Sequence, residues 1–233
     1  MEIQIGVAKI NKYASSESGD TLEVVERPAG GLSVVLADGQ RSGKSAKMIS
    51  NMVVRKVISL LAEGVRDGAA ARAASDYLYT HRSGKVQSTL NILSIDLESR
   101  TLVITRNNPI PVLVRSNHGT QALNENSHPV GLRRNTRPVI NEIELSKGLM
   151  VAMFTDGLPL AGEHSGTSFA IQQFLDTLLA AGAEPQHIAD GLIAEAIRLE
   201  NGRPRDDISV VVLGVVPRGT DEVRRMWVRL PLS

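Results

Sequence analysis

The alternation of apolar and polar positions opens with Ile3, Ile5 and Val7 on one face of a run over residues 2–10, the period of a half-buried strand. A polar stretch over 11–19 reads as a loop that delivers Asp20 to a second strand over 22–26, and Pro28-Ala-Gly-Gly31 reads as a turn. Residues 32–37 are nearly all apolar, as expected of a strand covered on both faces. From Lys44 the period changes. Ile49, Met52, Val53, Lys56, Val57, Leu60 and Leu61 recur at helical spacing up to Glu63-Gly64, where the glycine suits a C-terminal cap. An alanine-rich helix over 68–81 follows, closed by Ser83-Gly84, and the short link predicts an antiparallel helix pair lying on a sheet.

The middle of the chain offers short strands over 88–97, 101–106, 111–115 and 121–123, spaced closely enough to predict an antiparallel meander. Residues 139–145 alternate, and 149–154 are again apolar. Helical character returns over 168–181 and 185–199, with Pro185 in a first turn where its missing N–H costs little. The last strand spans 208–216. With no repeat and no linker, the pattern predicts one domain over 1–216. Residues 217–233 form an Arg-rich tail, with Arg218, Arg224, Arg225 and Arg229 around Trp227. Its role is unassigned: a docking element, an oligomer contact and a loose tail all stay open.

Composition narrows the class. The 233 residues carry a net charge of +1, which gives no reason to expect a nucleic-acid or membrane partner. The absence of cysteine excludes disulfides and thiolate metal sites and fits a reducing compartment. The N-terminus lacks the basic start and apolar segment of a secretion signal, and no apolar run approaches the roughly 20 residues that span a bilayer. The expectation is a soluble, cytoplasmic protein whose core is built from aliphatic side chains.

Candidate chemistry sits where apolar runs end. Asp38-Gly39 closes one run, Asp156-Gly157 closes another, and Asp206-Asp207 opens the last. An isolated Asp-Gly is a common turn pair. Two of them directly after apolar strands, with an acidic pair before a third, point instead to a shared site. Adjacent carboxylates repel unless solvent, a helix end or a cation compensates. Oxygen ligands without thiol or imidazole suit hard cations such as magnesium or manganese. None of the five histidines lies beside an acidic junction. Gly43-Lys44-Ser45 resembles a P-loop, but that loop needs glycine five positions before Gly43, where this chain has Asp38. A carboxylate there would repel the phosphate that backbone amides should cradle, so nucleotide binding at this stretch is rejected.

The series Ser18-Gly-Asp20, Ala37-Asp-Gly-Gln-Arg-Ser-Gly-Lys-Ser-Ala46, Phe154-Thr-Asp-Gly-Leu158 and Arg205-Asp-Asp-Ile-Ser-Val210, with Ser88-Thr-Leu-Asn-Ile-Leu-Ser-Ile-Asp96 as a central strand, resembles the type 2C metal-dependent serine/threonine protein phosphatases. The nearer likeness is to their bacterial sporulation and stress-regulator branch. The resemblance implies an α+β fold, a four-layer α-β-β-α sandwich of two antiparallel sheets flanked by helix pairs. It implies two divalent cations, Mn2+ or Mg2+. Asp38 would bridge them, the Gly39 carbonyl would bind one, and Asp156 and Asp206 would complete the other site. Asp20 would hold a metal-bound water and Asp207 would support Asp206. The implied reaction is hydrolysis of phosphoserine or phosphothreonine in a bacterial regulatory protein, such as an anti-sigma antagonist or a stressosome-type module, by a hydroxide that bridges the metals.

The chain departs from the family's pattern in places. Gln40-Arg41 stands where many members place a histidine that protonates the leaving group, which would leave that proton to water. Arg106-Asn-Asn-Pro109 stands where bacterial members often carry an aspartate for a third cation. Lys9, Lys12 and Arg41 are candidate phosphate-binding cations, with Arg41 and Lys12 preferred. The alternatives of another class are a catalytically inactive binding module of the same fold and a phosphatase for small metabolites.

Overall fold

The computed structural model describes residues 1–219 and 222–231. In chain order the elements are β1 (Glu2–Ile10), β2 (Asp20–Glu26), β3 (Leu32–Gly39), α1 (Gly43–Ala62), α2 (Asp67–Arg82), β4 (Ser88–Asp96), β5 (Thr101–Asn107), β6 (Val112–Ser116), β7 (Gly119–Leu123), β8 (Val139–Glu144), β9 (Met150–Phe154), α3 (Ile171–Ala180), α4 (Pro185–Leu199) and β10 (Ile208–Val216). One five-stranded sheet runs β1-β10-β9-β6-β7 and the other β2-β3-β4-β5-β8. Adjacent strands pair antiparallel throughout.

Period-2 alternation assigns each strand residue to a layer. Val34, Leu36, Leu93, Ile104, Val151, Met153, Val211 and Leu213 meet between the sheets. On the outer face of the second sheet Val35, Leu90 and Ile92 pack against Val53, Val57 and Leu61 of α1 and Ala70, Ala74 and Leu78 of α2. On the other side Ala152, Phe154, Val210 and Val212 meet Leu175 of α3 and Ile188, Leu192 and Ala196 of α4. This is the expected four-layer sandwich. Each fully buried aliphatic side chain contributes about 1.5–3 kcal/mol of transfer free energy, so three such layers hold the fold with few aromatics. The expected cap of α1 is present: Gly64 takes φ +85° and donates to the Leu61 carbonyl (3.0 Å).

The predicted continuous meander is not found. β4–β5 and β6–β7 are hairpins of different sheets, and the chain crosses between them at Asn107-Asn108-Pro109. Close spacing identifies hairpins, but only long-range pairing decides which sheet each joins. The crossing satisfies itself locally, because Asn108 Oδ1 accepts from Ile110 N–H (2.9 Å) and the Asn108 carbonyl accepts from Arg106 Nη1 (3.0 Å). Asp20 is the first residue of β2 and not part of the loop before it. α3 starts at Ile171, later than its apolar pattern suggests, with Phe169 turned in against Phe174.

Beyond Val216 no helix or strand occurs among the described residues, and Met226, Trp227, Val228 and Leu230 are exposed. Residues 220, 221, 232 and 233 of the expected tail lie outside the described residues. No helix among the described residues is long and apolar enough to cross a membrane.

Candidate active site

At one end of the inner layer the aliphatic pattern gives way to acids. β2 and β3 pair so that Leu22 faces Leu36 and, two residues on, Asp20 faces Asp38. Directly opposed residues share a face, so both carboxylates enter the space between the sheets. The other sheet contributes Asp156, two residues after β9, and Asp206, two before β10. Asp38, Gly39, Asp156 and Asp206 line an open pocket of about 350 Å³, together with Lys12 and Arg41.

Asp20 ties the two sheets together. Its Oδ2 accepts from Ser209 Oγ (2.6 Å) and Thr155 Oγ1 (3.0 Å), both from the opposite sheet. Its Oδ1 is buried and accepts no hydrogen bond. The Asp20 carbonyl accepts from two ammonium groups, Lys9 Nζ (2.6 Å) and Lys47 Nζ (2.7 Å). The preceding Gly19 carbonyl accepts from Ser50 Oγ of α1 (2.6 Å).

Asp207 points away from the pocket. Its carboxylate accepts from Lys12 N–H (2.9 Å) and Gly19 N–H (2.8 Å), clamping the β1–β2 loop onto the start of β10. Its own N–H donates to Asp206 Oδ1 (2.9 Å), which orients Asp206 from behind.

Three carboxyl groups in a half-buried pocket, with Asp20 buried behind them, resist ionisation. Burial, reinforced by the charges of Asp20, Asp156 and Asp206, pushes Asp38 up to about 9. Burial raises Asp20 to about 6, held down by the hydrogen bonds from Ser209 and Thr155 and by Lys9. Asp156 is raised by burial and by Asp206, and Asp206 by burial and by Asp207. Lys9 is lowered, mainly by burial and then by Lys47.

Two glycines permit the close packing around these acids. A Cβ on Gly39 would lie 2.0 Å from the Ala46 carbonyl oxygen, so β3 can run directly under the first turns of α1 only with glycine there. A Cβ on Gly157 would lie 2.3 Å from the Asp207 carbonyl oxygen. Arg41 adopts φ +77°, a left-handed conformation that non-glycine residues rarely hold, at the pocket rim.

The donor set suits hard divalent cations. It consists of carboxylates and a backbone carbonyl, without thiol or imidazole, and includes the orphaned Asp20 Oδ1. Among the described residues no three acidic or imidazole side chains close into a cage around one ion. Magnesium-type ions do not need one, since they bind through one or two carboxylates and keep several waters.

The structure thus gathers Asp20, Asp38, Gly39, Asp156 and Asp206, with Lys12 and Arg41 at the rim. Lys9 does not line the pocket, and its ammonium donates to the Asp20 carbonyl. Thr155, Ser209, Lys47 and Ser50 are site residues that sequence reasoning missed. Thr155 and Ser209 lie inside the quoted motifs, and strand alternation around Ser209 was the available signal. Lys47 and Ser50 carried none.

The chain matches the family described as stage II sporulation protein E (SpoIIE) over residues 28–216. Stage II sporulation protein E of Bacillus subtilis (strain 168) is 22% identical over 231 residues, 99% of this chain and 27% of that protein. The chain therefore spans about a quarter of that relative's length. Among solved structures, the PP2C phosphatase domain with a fragment of the regulatory domain of the cell fate determinant SpoIIE from Bacillus subtilis is similar with a TM-score of 0.80. It is 22% identical, over 92% of this chain and 64% of that one. The catalytic domain of the serine/threonine protein phosphatase PstP, in complex with two manganese ions, has a TM-score of 0.67 at 17% identity, over 92% and 99% of the two chains.

Proposed function

The chain belongs to the stage II sporulation protein E family, and from that membership we propose that it is a metal-dependent phosphatase acting on phosphoserine or phosphothreonine of a regulatory protein. One observation carries the reading: Asp38 from one sheet and Asp156 and Asp206 from the other line a single pocket that disfavours their ionisation, with Asp20 paired directly opposite Asp38. Such a cluster is matched to cations, which take the place of the protons it otherwise keeps.

Asp38 and the Gly39 carbonyl would hold one of two cations, manganese or magnesium, with Asp38 shared, and Asp156 and Asp206 would hold the other. The pair of manganese ions in the PstP structure supports that stoichiometry. When bound, such cations supply the charge that acidifies an attacking water and offsets the charge of the phosphoryl group.

The chain's own residues do the positioning. Asp20, held through Oδ2 by Ser209 and Thr155 and paired opposite Asp38, would accept a proton from water through its unpartnered Oδ1. Asp207 fixes Asp206 through its N–H and the loop bearing Lys12 through its carboxylate. Lys12 and Arg41 flank the pocket to receive phosphoryl oxygens. No histidine lines it, so the departing serine oxygen takes its proton from solvent. The substrate class is a phosphorylated regulatory protein of the anti-sigma antagonist or stressosome type, acting in the cytoplasm. A similar fold in a bacterial stressosome structure, with a TM-score of 0.67, supports this choice.

Hydrolysis of an aryl phosphate and of a phosphoserine peptide tests the reading, with manganese, with chelator, and with Asp38→Asn. Manganese-dependent turnover lost in both controls is expected. Turnover indifferent to both would overturn the two-cation site, and no turnover on either substrate would overturn the enzyme assignment.

A further inference from the structure

Beside the pocket the surface is basic and unpaired. Gln87 and Ser88 lie on the pocket wall, and Gln40 N–H donates to the Gln87 carbonyl across its mouth (3.1 Å). Ser88 and Val130 exchange backbone hydrogen bonds (3.1 and 2.9 Å), which lays the loop 128–137 against the chain leading into β4. The loop is held from α2 as well: Gly131 N–H donates to Ser75 Oγ (3.2 Å) and Asn135 N–H to Asp76 Oδ1 (2.8 Å). Arg134 lies over the Tyr79 ring at 5.1 Å.

This anchoring presents Lys85, Arg133, Arg134 and Arg137 to solvent, next to an exposed Leu132. None of the four cations has a carboxylate partner among the described residues. Asp76, bonded to this loop through the Asn135 N–H, offsets one of the four charges and leaves the cluster net positive. Like charges held together with only partial compensation destabilise the free protein and favour an anionic partner. The apolar Leu132 among them fits a protein surface better than a polyanion, as does the net charge of only +1.

We propose that Lys85, Arg133 and Arg134, with Leu132, form a docking shoulder that binds an acidic face of the phosphoprotein substrate and brings its phosphoserine into the adjoining pocket. The proposal rests on the phosphatase reading for the identity of its ligand. The shoulder lies one chain segment away from the acidic pocket wall, so it attracts the acidic protein without competing for the cations. Rim charges of this kind act on encounter and on salt dependence more than on the chemical step.

The test uses the whole chain and three substrates: an aryl phosphate, a phosphoserine peptide flanked by Asp and Glu, and the same peptide flanked by Gln. For Arg133→Glu/Arg134→Glu, kcat/KM on the acidic peptide is expected to fall about tenfold or more through KM, and to converge with wild type at high salt. The aryl phosphate and the Gln peptide should change less than about twofold. Arg133→Glu alone leaves the Tyr79 contact intact and should give the same selectivity in smaller measure. Equal losses on both peptides, or no preference of the wild type for the acidic one, overturn the proposal. Binding of duplex DNA or anionic vesicles through these arginines, without binding of the acidic peptide, also overturns it. If wild type turns over no substrate, the phosphatase reading has failed separately. Fluorescence anisotropy then still reads docking, as weaker binding of the acidic peptide by the double variant than by wild type, and equal binding refutes it.

Discussion

Asp20 and Asp38 stand directly opposite each other across β2 and β3, two carboxyl groups on one buried face where their neighbours Leu22 and Leu36 make an aliphatic contact. Opposed like charges destabilise a strand pair. The fold tolerates this one because Asp38 keeps its proton to about 9, and Ser209 and Thr155 support Asp20 from the other sheet.

That arrangement fixes a pH dependence. Asp38 ordinarily ionises near 3.8 and in the fold near 9. Between those values the folded state holds a proton that the unfolded state has released, so stability falls as pH rises through the window and levels off outside it. In chelator, the Tm is expected to decline from pH 5 to pH 8. Manganese, which displaces the proton, should raise the Tm more at pH 8 than at pH 6, with proton release visible by calorimetry in two buffers. Asp38→Asn should flatten the chelator profile and remove most of the manganese effect. A Tm that climbs over the same range in chelator would contradict the geometry.

The clamp on Asp20 predicts a graded effect. Ser209→Ala removes its shorter hydrogen bond and Thr155→Ala the longer. Residues that orient a metal-binding group typically change metal affinity about 10–100-fold when removed. Both variants should need more manganese for half-maximal activity, Ser209→Ala the more so, with kcat at saturating manganese less affected. Ser209→Thr should recover part of the loss. An unchanged manganese requirement in both would show that Asp20 does not act at the cations.

Gly39 carries a steric prediction. A methyl group there would meet the Ala46 carbonyl at 2.0 Å, backbone against backbone, with no flexible side chain to yield. Overpacking of this kind costs on the order of 1–3 kcal/mol. Gly39→Ala should lower the urea midpoint accordingly and weaken manganese binding, because β3 and α1 must separate at the residue whose carbonyl would bind the cation. Full stability with full activity would refute the close approach.

The reasons some of this was legible in the sequence, and some not, are physical. Asp38, Asp156 and Asp206 announce themselves because each ends an apolar run, and an acid at that boundary is a local signal. The glycine of each Asp-Gly step also permits a close backbone approach, at Gly39 to Ala46 and at Gly157 to Asp207. Ser209 was hidden because a serine in a strand is unremarkable until the facing sheet is known. The hydrogen bond from Lys9 to the Asp20 carbonyl was equally hidden, because a lysine at a strand end looks the same whether it faces a phosphate or a carbonyl. The sheet change at Asn107-Asn108 was invisible for a similar reason, since hairpin spacing is local and sheet membership is not.

Arg106 illustrates the same limit and carries the last prediction. In sequence it stands where bacterial members of the resembled family often carry an aspartate for a third cation; in the structure it is a fully buried cation. Nη1 donates to the Asn108 carbonyl (3.0 Å), and Nη2 to the Glu125 carbonyl (2.8 Å) and Glu125 Oε2 (3.1 Å). The same segment is held by Ser127 Oγ donating to the Arg106 carbonyl (2.7 Å), and it leads into Val130, which pairs with Ser88. Ser88 Oγ in turn donates to the Asp38 carbonyl (2.6 Å). The Glu125 carboxylate is half exposed and returns to water when Arg106 is truncated, so the cost lies in the buried Asn108 carbonyl left without its donor, about 1–3 kcal/mol. Arg106→Ala should lose that much by urea unfolding. Arg106→Lys should recover little, since one ammonium cannot reach carbonyls on both sides as the guanidinium fork does. Because the chain of contacts ends on Asp38, both variants should also bind manganese more weakly in the fraction that stays folded. A loss in Arg106→Ala below about 1 kcal/mol would place Arg106 outside the framework of the site.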